Sequence, residues 1–112
     1  MWRQIIALLL LATAIAPARA EETGNSIIEG CRDALNTVPS RQGTYCLGSL
    51  TMLAAISPFI DEQFEFCPPV KATSLQVVRV VVKYMDDHPA ELDRPFSFIA
   101  LHSLQEAWSC KK

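Results

Sequence analysis

Four cysteines constrain this chain more than any other feature: Cys31, Cys46, Cys67 and Cys110, set in a sequence short for a domain. What they can do depends on the compartment, and the first residues bear on that. The chain opens MWRQIIALLLLATAIAPARA. Arg3 gives a positive start, Ile5 to Ala16 is an apolar run broken by Thr13, and Ala18-Arg19-Ala20 is a small-x-small triplet. The pattern predicts a secretory signal peptide over residues 1–20, cut after Ala20. A membrane anchor needs about 20 apolar residues; this run is shorter and ends in a cleavage motif. No cysteine stands at the cut, so no lipid anchor is expected.

The exported part, residues 21–112, reads as one domain. An even number of cysteines in a small exported domain points to two disulfides, because a core of that size is marginal and the surroundings oxidise thiols. Zinc would want cysteines paired at a spacing of about two to four residues, and the gaps here are far wider. Three pairings can be drawn. The reading favours Cys31–Cys46, which ties two consecutive helices, with Cys67–Cys110, which ties the loop before a third helix to the chain end. By loop entropy these closures contribute about 3 and about 4 kcal/mol.

Hydrophobic spacing predicts four helices and an all-α fold, a small four-helix bundle stapled by two disulfides. The first runs from Gly24 to Leu35, capped by Asn25 or Ser26, with Ile27, Ile28, Cys31 and Leu35 on one face. Pro39 and Gly43 punctuate the following loop. The second helix runs from near Tyr45 to about Ile56, with Cys46, Leu50, Leu53 and Ala54 inward, and stops before Pro58. Phe59 to Phe66 is mixed, with room for one helical turn, and Cys67-Pro68-Pro69 is extended.

SLQVVRVVVKYM is rich in valine, which favours strands. Strict alternation fails, however, because Val77 and Val78 are adjacent and Val80 to Val82 are consecutive. Leu75, Val78, Val82 and Met85 fit a helix, with Thr73 or Ser74 as cap and Gln76 placed for a capping-box contact. The fourth helix starts at Asp93-Arg94-Pro95 and ends near Ser109-Cys110. Its predicted inner side is Phe98, Leu101, Leu104, Gln105 and Trp108.

The residues with chemical potential sit in YMDDHPAEL. Asp86, Asp87 and His88 are consecutive, so on a helix they point about 100° apart and cannot converge on a metal. His102 lies in a different helix, with Glu106 four residues on. The plain reading of DDHPAEL is a helix end stopped by Pro89 and followed by a polar link. An even cysteine count leaves no free thiol nucleophile. The sequence holds no Gly-x-Ser-x-Gly elbow and no glycine-rich phosphate loop. No catalytic residue, metal ligand or cofactor is expected, and the protein is not expected to be an enzyme. Without Arg3 and Arg19 the domain has 8 basic and 12 acidic residues, a net charge of −4 with both signs interspersed. A nucleic-acid partner would want a basic stripe, which is missing. After signal cleavage no membrane association is expected either.

From Cys31 to Cys110 the chain resembles the Rap1a/Tai family of exported immunity proteins against type VI secretion effectors. The resemblance lies in Cys31 late in the first helix, CLG opening the second (Cys46, Gly48), and FCPP (Phe66, Cys67, Pro68). It continues with Gln76, VVKYM with Tyr84, HPAEL (His88, Pro89, Glu91, Leu92), Ala100-Leu101 and the last cysteine, Cys110. The resemblance implies a disulfide-bonded helical bundle, often a homodimer, that neutralises a toxin by occlusion. In the amidase-immunity branch a loop enters the cleft of a peptidoglycan amidase. It therefore implies a periplasmic immunity protein whose partner is an amidase effector. Asp86, Asp87, His88, Glu91 and Asp93 become the candidate partner-binding loop. Two other functions fit the same composition: a small periplasmic acid-stress chaperone or orphan binding protein, and a minor hydrolase or metal carrier using His88 or His102.

Overall fold

The computed structural model describes residues 21–111; the expected signal peptide, residues 1–20, lies outside them. Four α-helices follow one another: α1 Gly24–Asp33, α2 Arg41–Ile56, α3 Ser74–Asp87 and α4 Phe96–Ala107. Three single 3-10 turns punctuate the connections, at Ser57–Phe59, Glu62–Phe64 and Pro89–Glu91. There is no β-strand among the described residues, only one isolated antiparallel bridge between Thr23 and Pro95.

Both expected disulfides are present, and their loops have very different settings. Cys31–Cys46 joins α1 to α2. Both its cysteines are fully buried, at 0% exposure. Cys67–Cys110 joins the segment before α3 to the end of the chain. Around the first bridge the core gathers Ile27, Leu50, Phe66, Val77, Val78, Val81, Met85, Ile99 and Leu104. Helices α1 and α3 each pack against the other three.

The helix starts follow side-chain capping. Thr23 caps α1: its hydroxyl accepts from the Ser26 amide at 3.3 Å, and the Ser26 hydroxyl accepts from the Thr23 amide at 2.9 Å. The cap is thus neither Asn25 nor Ser26, as the sequence predicts, but Thr23; Ser26 is its reciprocal partner, because the chain reaches helical geometry one residue after Thr23. Ser40 caps α2 by accepting from the Gly43 amide at 3.1 Å. The helix thus begins four residues ahead of the expected Tyr45. Gly43 is not loop punctuation but sits buried in the first turn. A Cβ there would stand 2.9 Å from Asp33 Oδ2 and 3.0 Å from the Ala34 amide nitrogen, so glycine lets α2 start hard against the end of α1. Asp33 braces the short link, accepting from the Ser40 amide and from Asn36 Nδ2.

The valine-rich segment is a helix. Its buried stripe is Val77, Val78, Val81, Val82, Tyr84 and Met85. Leu75, expected inside, is 40% exposed. Pairs of adjacent valines suit a helix packed on several sides, where burial outweighs the modest helix penalty of a β-branched residue. Thr73 caps it, accepting from the Gln76 amide at 3.1 Å.

Helix α4 is turned relative to the expected face. Phe96, Ile99, Ala100, Ser103 and Leu104 are buried, whereas Phe98 is 43% exposed. Phe98 has a different occupation: the Arg94 guanidinium lies 4.8 Å from its ring centre and His102 stacks on it at 5.7 Å. Ile99→Ala should therefore lower the unfolding free energy by about 2–5 kcal/mol. Phe98→Ala, losing exposed ring contacts, should cost about 1 kcal/mol. Urea unfolding of the two variants checks the register, and the opposite order would restore the face read from the sequence.

Candidate functional site

The stretch from Asp86 to Asp93 leaves α3 and makes one tight turn on the way to α4, which starts at Phe96. His88 ends the helix by leaving helical geometry, at φ −127° and ψ 60°. Pro89 then begins a 3-10 turn closed by the Glu91 amide on His88 O at 3.0 Å and the Arg94 amide on Glu91 O at 3.1 Å. The proline fixes one backbone angle and cannot prolong α3.

The far side of the turn is sewn to the start of α1. The Asn25 amide donates to Leu92 O at 2.7 Å, the Gly24 amide to Arg94 O at 3.1 Å, and the Phe96 amide to Glu22 O at 2.7 Å. The Ser97 amide, at the beginning of α4, donates to the Glu21 carboxylate at 3.0 Å. These bonds satisfy amides that helix starts otherwise leave open. Such proximity requires Gly24: a Cβ there would meet Ile99 Cδ1 at 2.6 Å and the Leu92 backbone at 3.0 Å.

Tyr84 is the post on which the turn leans. It lies on the buried stripe of α3, and its phenol donates to Glu91 Oε2 at 2.6 Å. The His88 ring stacks on it at 4.0 Å and places Nδ1 2.8 Å from Tyr84 O. His102 from α4 meets the same ring edge-on at 5.8 Å. The two histidines, unrelated in sequence, thus share one aromatic neighbour. Burial pushes the Tyr84 phenol up to about 12, and the Glu91 bond adds to the shift. The same bond holds the Glu91 carboxyl below its ordinary range, with Arg94 and both histidines assisting.

The remaining acids point to separate partners. Asp86 meets Arg32 of α1 at 2.5 Å, and Arg32 also pairs with Glu29. Asp87 meets Lys83 one turn earlier at 2.7 Å, which lowers its carboxyl. Asp93 is exposed. As expected from their consecutive positions, Asp86, Asp87 and His88 do not converge. Among the described residues no group of three or more His, Cys, Asp or Glu side chains could hold a metal ion.

Two kinds of bond therefore coexist in the loop. The Tyr84–Glu91 bond is partly buried and fixes the turn. The Arg32–Asp86 and Lys83–Asp87 pairs are exposed, and exposed pairs contribute only about 0–1 kcal/mol. A partner can exchange the second kind at low cost. Sequence reasoning missed the roles of Arg32, Arg94 and Thr23. Arg32 lies far from Asp86 along the chain, and no local spacing announces the pair.

The Tyr84–Glu91 pair sets a pH profile. Below Glu91's ordinary value of 4.5 the unfolded chain takes up that proton first, so stability falls as pH drops. Above Tyr84's ordinary value of 10.0 the unfolded chain loses the phenol proton first, so stability falls as pH rises. Tyr84→Phe should remove most of the alkaline decline and weaken the acid one, as read by denaturant midpoints across pH. An alkaline decline unchanged in the variant would separate the phenol from it.

Searches of curated proteins and of solved structures each returned no match. The family described as Rap1a immunity proteins matches residues 23–110, from the cap of α1 to the last cysteine. That span holds all four helices, both disulfides and the whole Asp86–Asp93 turn. The chain belongs to the Rap1a immunity protein family.

Proposed function

We propose that this immunity protein works in the periplasm, where it binds a peptidoglycan amidase effector of a type VI secretion system and occludes its active site with the Asp86–Asp93 turn. The observation that carries this reading is the turn's construction. Its backbone is bonded to α1 and its interior is locked by Tyr84–Glu91, while Asp86, Asp87 and Asp93 stay at the surface. A segment held in advance loses little conformational entropy on docking. Its carboxylates suit basic or polar groups around a cleft, with exposed ion pairs that can be exchanged. The two disulfides and the expected leader support an oxidising, exported setting. No helix among the described residues is long and apolar enough to cross a membrane. An immunity protein acts by binding, which agrees with the lack of catalytic spacing in the sequence.

A homodimer fits the outer face of α2. From Gln42 to Ile60 there is no charged residue, and Tyr45 and Met52 are exposed. Gly48 stands mid-helix, and apart from its own helix backbone nothing lies within 4 Å of where a Cβ would be. Glycine there costs about 1 kcal/mol relative to alanine, and no contact within this chain requires it. An uncharged face can meet its own copy without like-charge repulsion. Gly48→Arg should turn a dimer into a monomer in sedimentation while the helical circular dichroism is kept; a monomeric parent protein would remove the dimer.

The inhibitory reading is tested by sending an amidase effector to the periplasm of cells with and without this protein. Protection from lysis with a stable complex is the expected result, and unchanged lysis with its own cognate effector would overturn the assignment. Within the complex, the Asp87→Lys, Asp93→Lys double variant should bind at least about tenfold more weakly, roughly 1.4 kcal/mol. Undiminished affinity in a folded variant would place the contact away from this turn.

A further inference from the structure

We propose that Cys67–Cys110 is a thiol–disulfide exchange site, opened by a dithiol protein while the four-helix core stays folded, and that its opening loosens residues 57–73. The two disulfides differ in access. Cys31 and Cys46 are fully enclosed by the core, so a reductant reaches them only when the whole domain opens. Cys67 is exposed and Cys110 is half-buried. Exposed disulfides are the labile ones, because exchange needs a thiolate to approach one sulfur directly.

The surroundings of Cys67 say what exchange would change. Residues 57–73 contain no helix longer than the two three-residue 3-10 turns. Their ties to the end of α4 include Gln105 Nε2 donating to Gln63 O at 3.0 Å and to Glu65 O at 3.4 Å, and the Cys67 amide donating to Trp108 O at 2.8 Å. Phe66 plugs into the core next to Cys67. The disulfide is the covalent member of this set and closes the largest loop in it. None of the four helices lies inside the 57–73 segment; Phe66 is its buried apolar contribution to the core, and the helix-to-helix contacts of α1 to α4 are made by residues outside it. The segment also forms one wall of an apolar groove lined by Ala54, Phe66, Pro69, Val70 and Val77. Val70, at the tip of its turn, is fully exposed. Loosening the segment would reshape that groove.

A thiolate of the dithiol attacks Cys67 Sγ, and the sulfur–sulfur bond breaks with its electron pair leaving on Cys110, which takes up a proton. The second thiol of the dithiol then attacks the mixed disulfide and expels Cys67 as thiolate. Two electrons pass to the protein, and the dithiol becomes a disulfide.

The test begins with the full chain in graded dithiothreitol, trapped with iodoacetamide and mapped by mass spectrometry. Cys67 and Cys110 should be alkylated first, with helical circular dichroism retained, and Cys31 and Cys46 only on denaturation. Opening of both pairs at one reductant concentration, or only with loss of helix, would overturn the proposal. A thioredoxin whose resolving cysteine is serine should be captured on Cys67; no capture would remove the dithiol-protein step. In the Cys67→Ser, Cys110→Ser variant, amide exchange should quicken more over 57–73 than in α1 to α4, whose helices stay formed. Unchanged exchange in the segment would overturn the loosening, and failure of that variant to fold would overturn the independence of the core.

Discussion

The bond between Cys31 and Cys46 is the interaction on which the rest of the architecture depends. It crosses from the last turn of α1 to the first half of α2, with both cysteines fully buried in the core. A domain this small buries too little apolar surface to hold four helices comfortably. A covalent tie inside the core fixes one helix pair before any packing is counted, and α3 then needs only to lay its valine stripe against a preset surface. The close start of α2, made possible by Gly43, and the Asp33 brace on Ser40 belong to the same constraint. With α1 and α2 tied, the link between them has to be short and well bonded.

On that frame the candidate binding turn acquires its order at second hand. α3 supplies Tyr84 from its buried side, and α1 supplies the amides that grip Leu92 and Arg94. Neither contribution comes from the exposed acids themselves. The acids at the surface are consequently interchangeable in a structural sense, while Tyr84, Glu91 and Gly24 are not. This division separates the residues that shape the turn from those left at its surface.

Much of the fold was legible in the sequence, and the exceptions have physical causes. The four helices, the helical state of the valine-rich segment and both disulfides could be read because they rest on spacing and on a pattern of cysteines within one chain. The start of α2 could not. Gly43 looks like a loop residue until the backbone of α1 is seen beside it, and that proximity is a tertiary fact. The face of α4 lies a step away from the one its periodicity predicts, because Phe98 counts as apolar in any periodicity and yet serves as a platform for Arg94 and His102. In the turn, the failure of Asp86, Asp87 and His88 to converge followed from helix geometry. The meeting of His88 and His102 on Tyr84, and the reach of Arg32 to Asp86, join elements that only the packed bundle brings together.

The contact at Gly24 has a consequence for how such a protein can change its target over time. Because Leu92 and Ile99 leave no room for a side chain there, the backbone path of the turn is fixed by the start of α1. Insertions or deletions between Pro89 and Pro95 would pull the amides of α1 off their acceptors. If the turn binds as proposed, what can vary without disturbing its path is the set of single residues at the rim, at positions 86, 87 and 93. Under the proposed role, a change of specificity would come through charge and size at those positions rather than through a new loop shape.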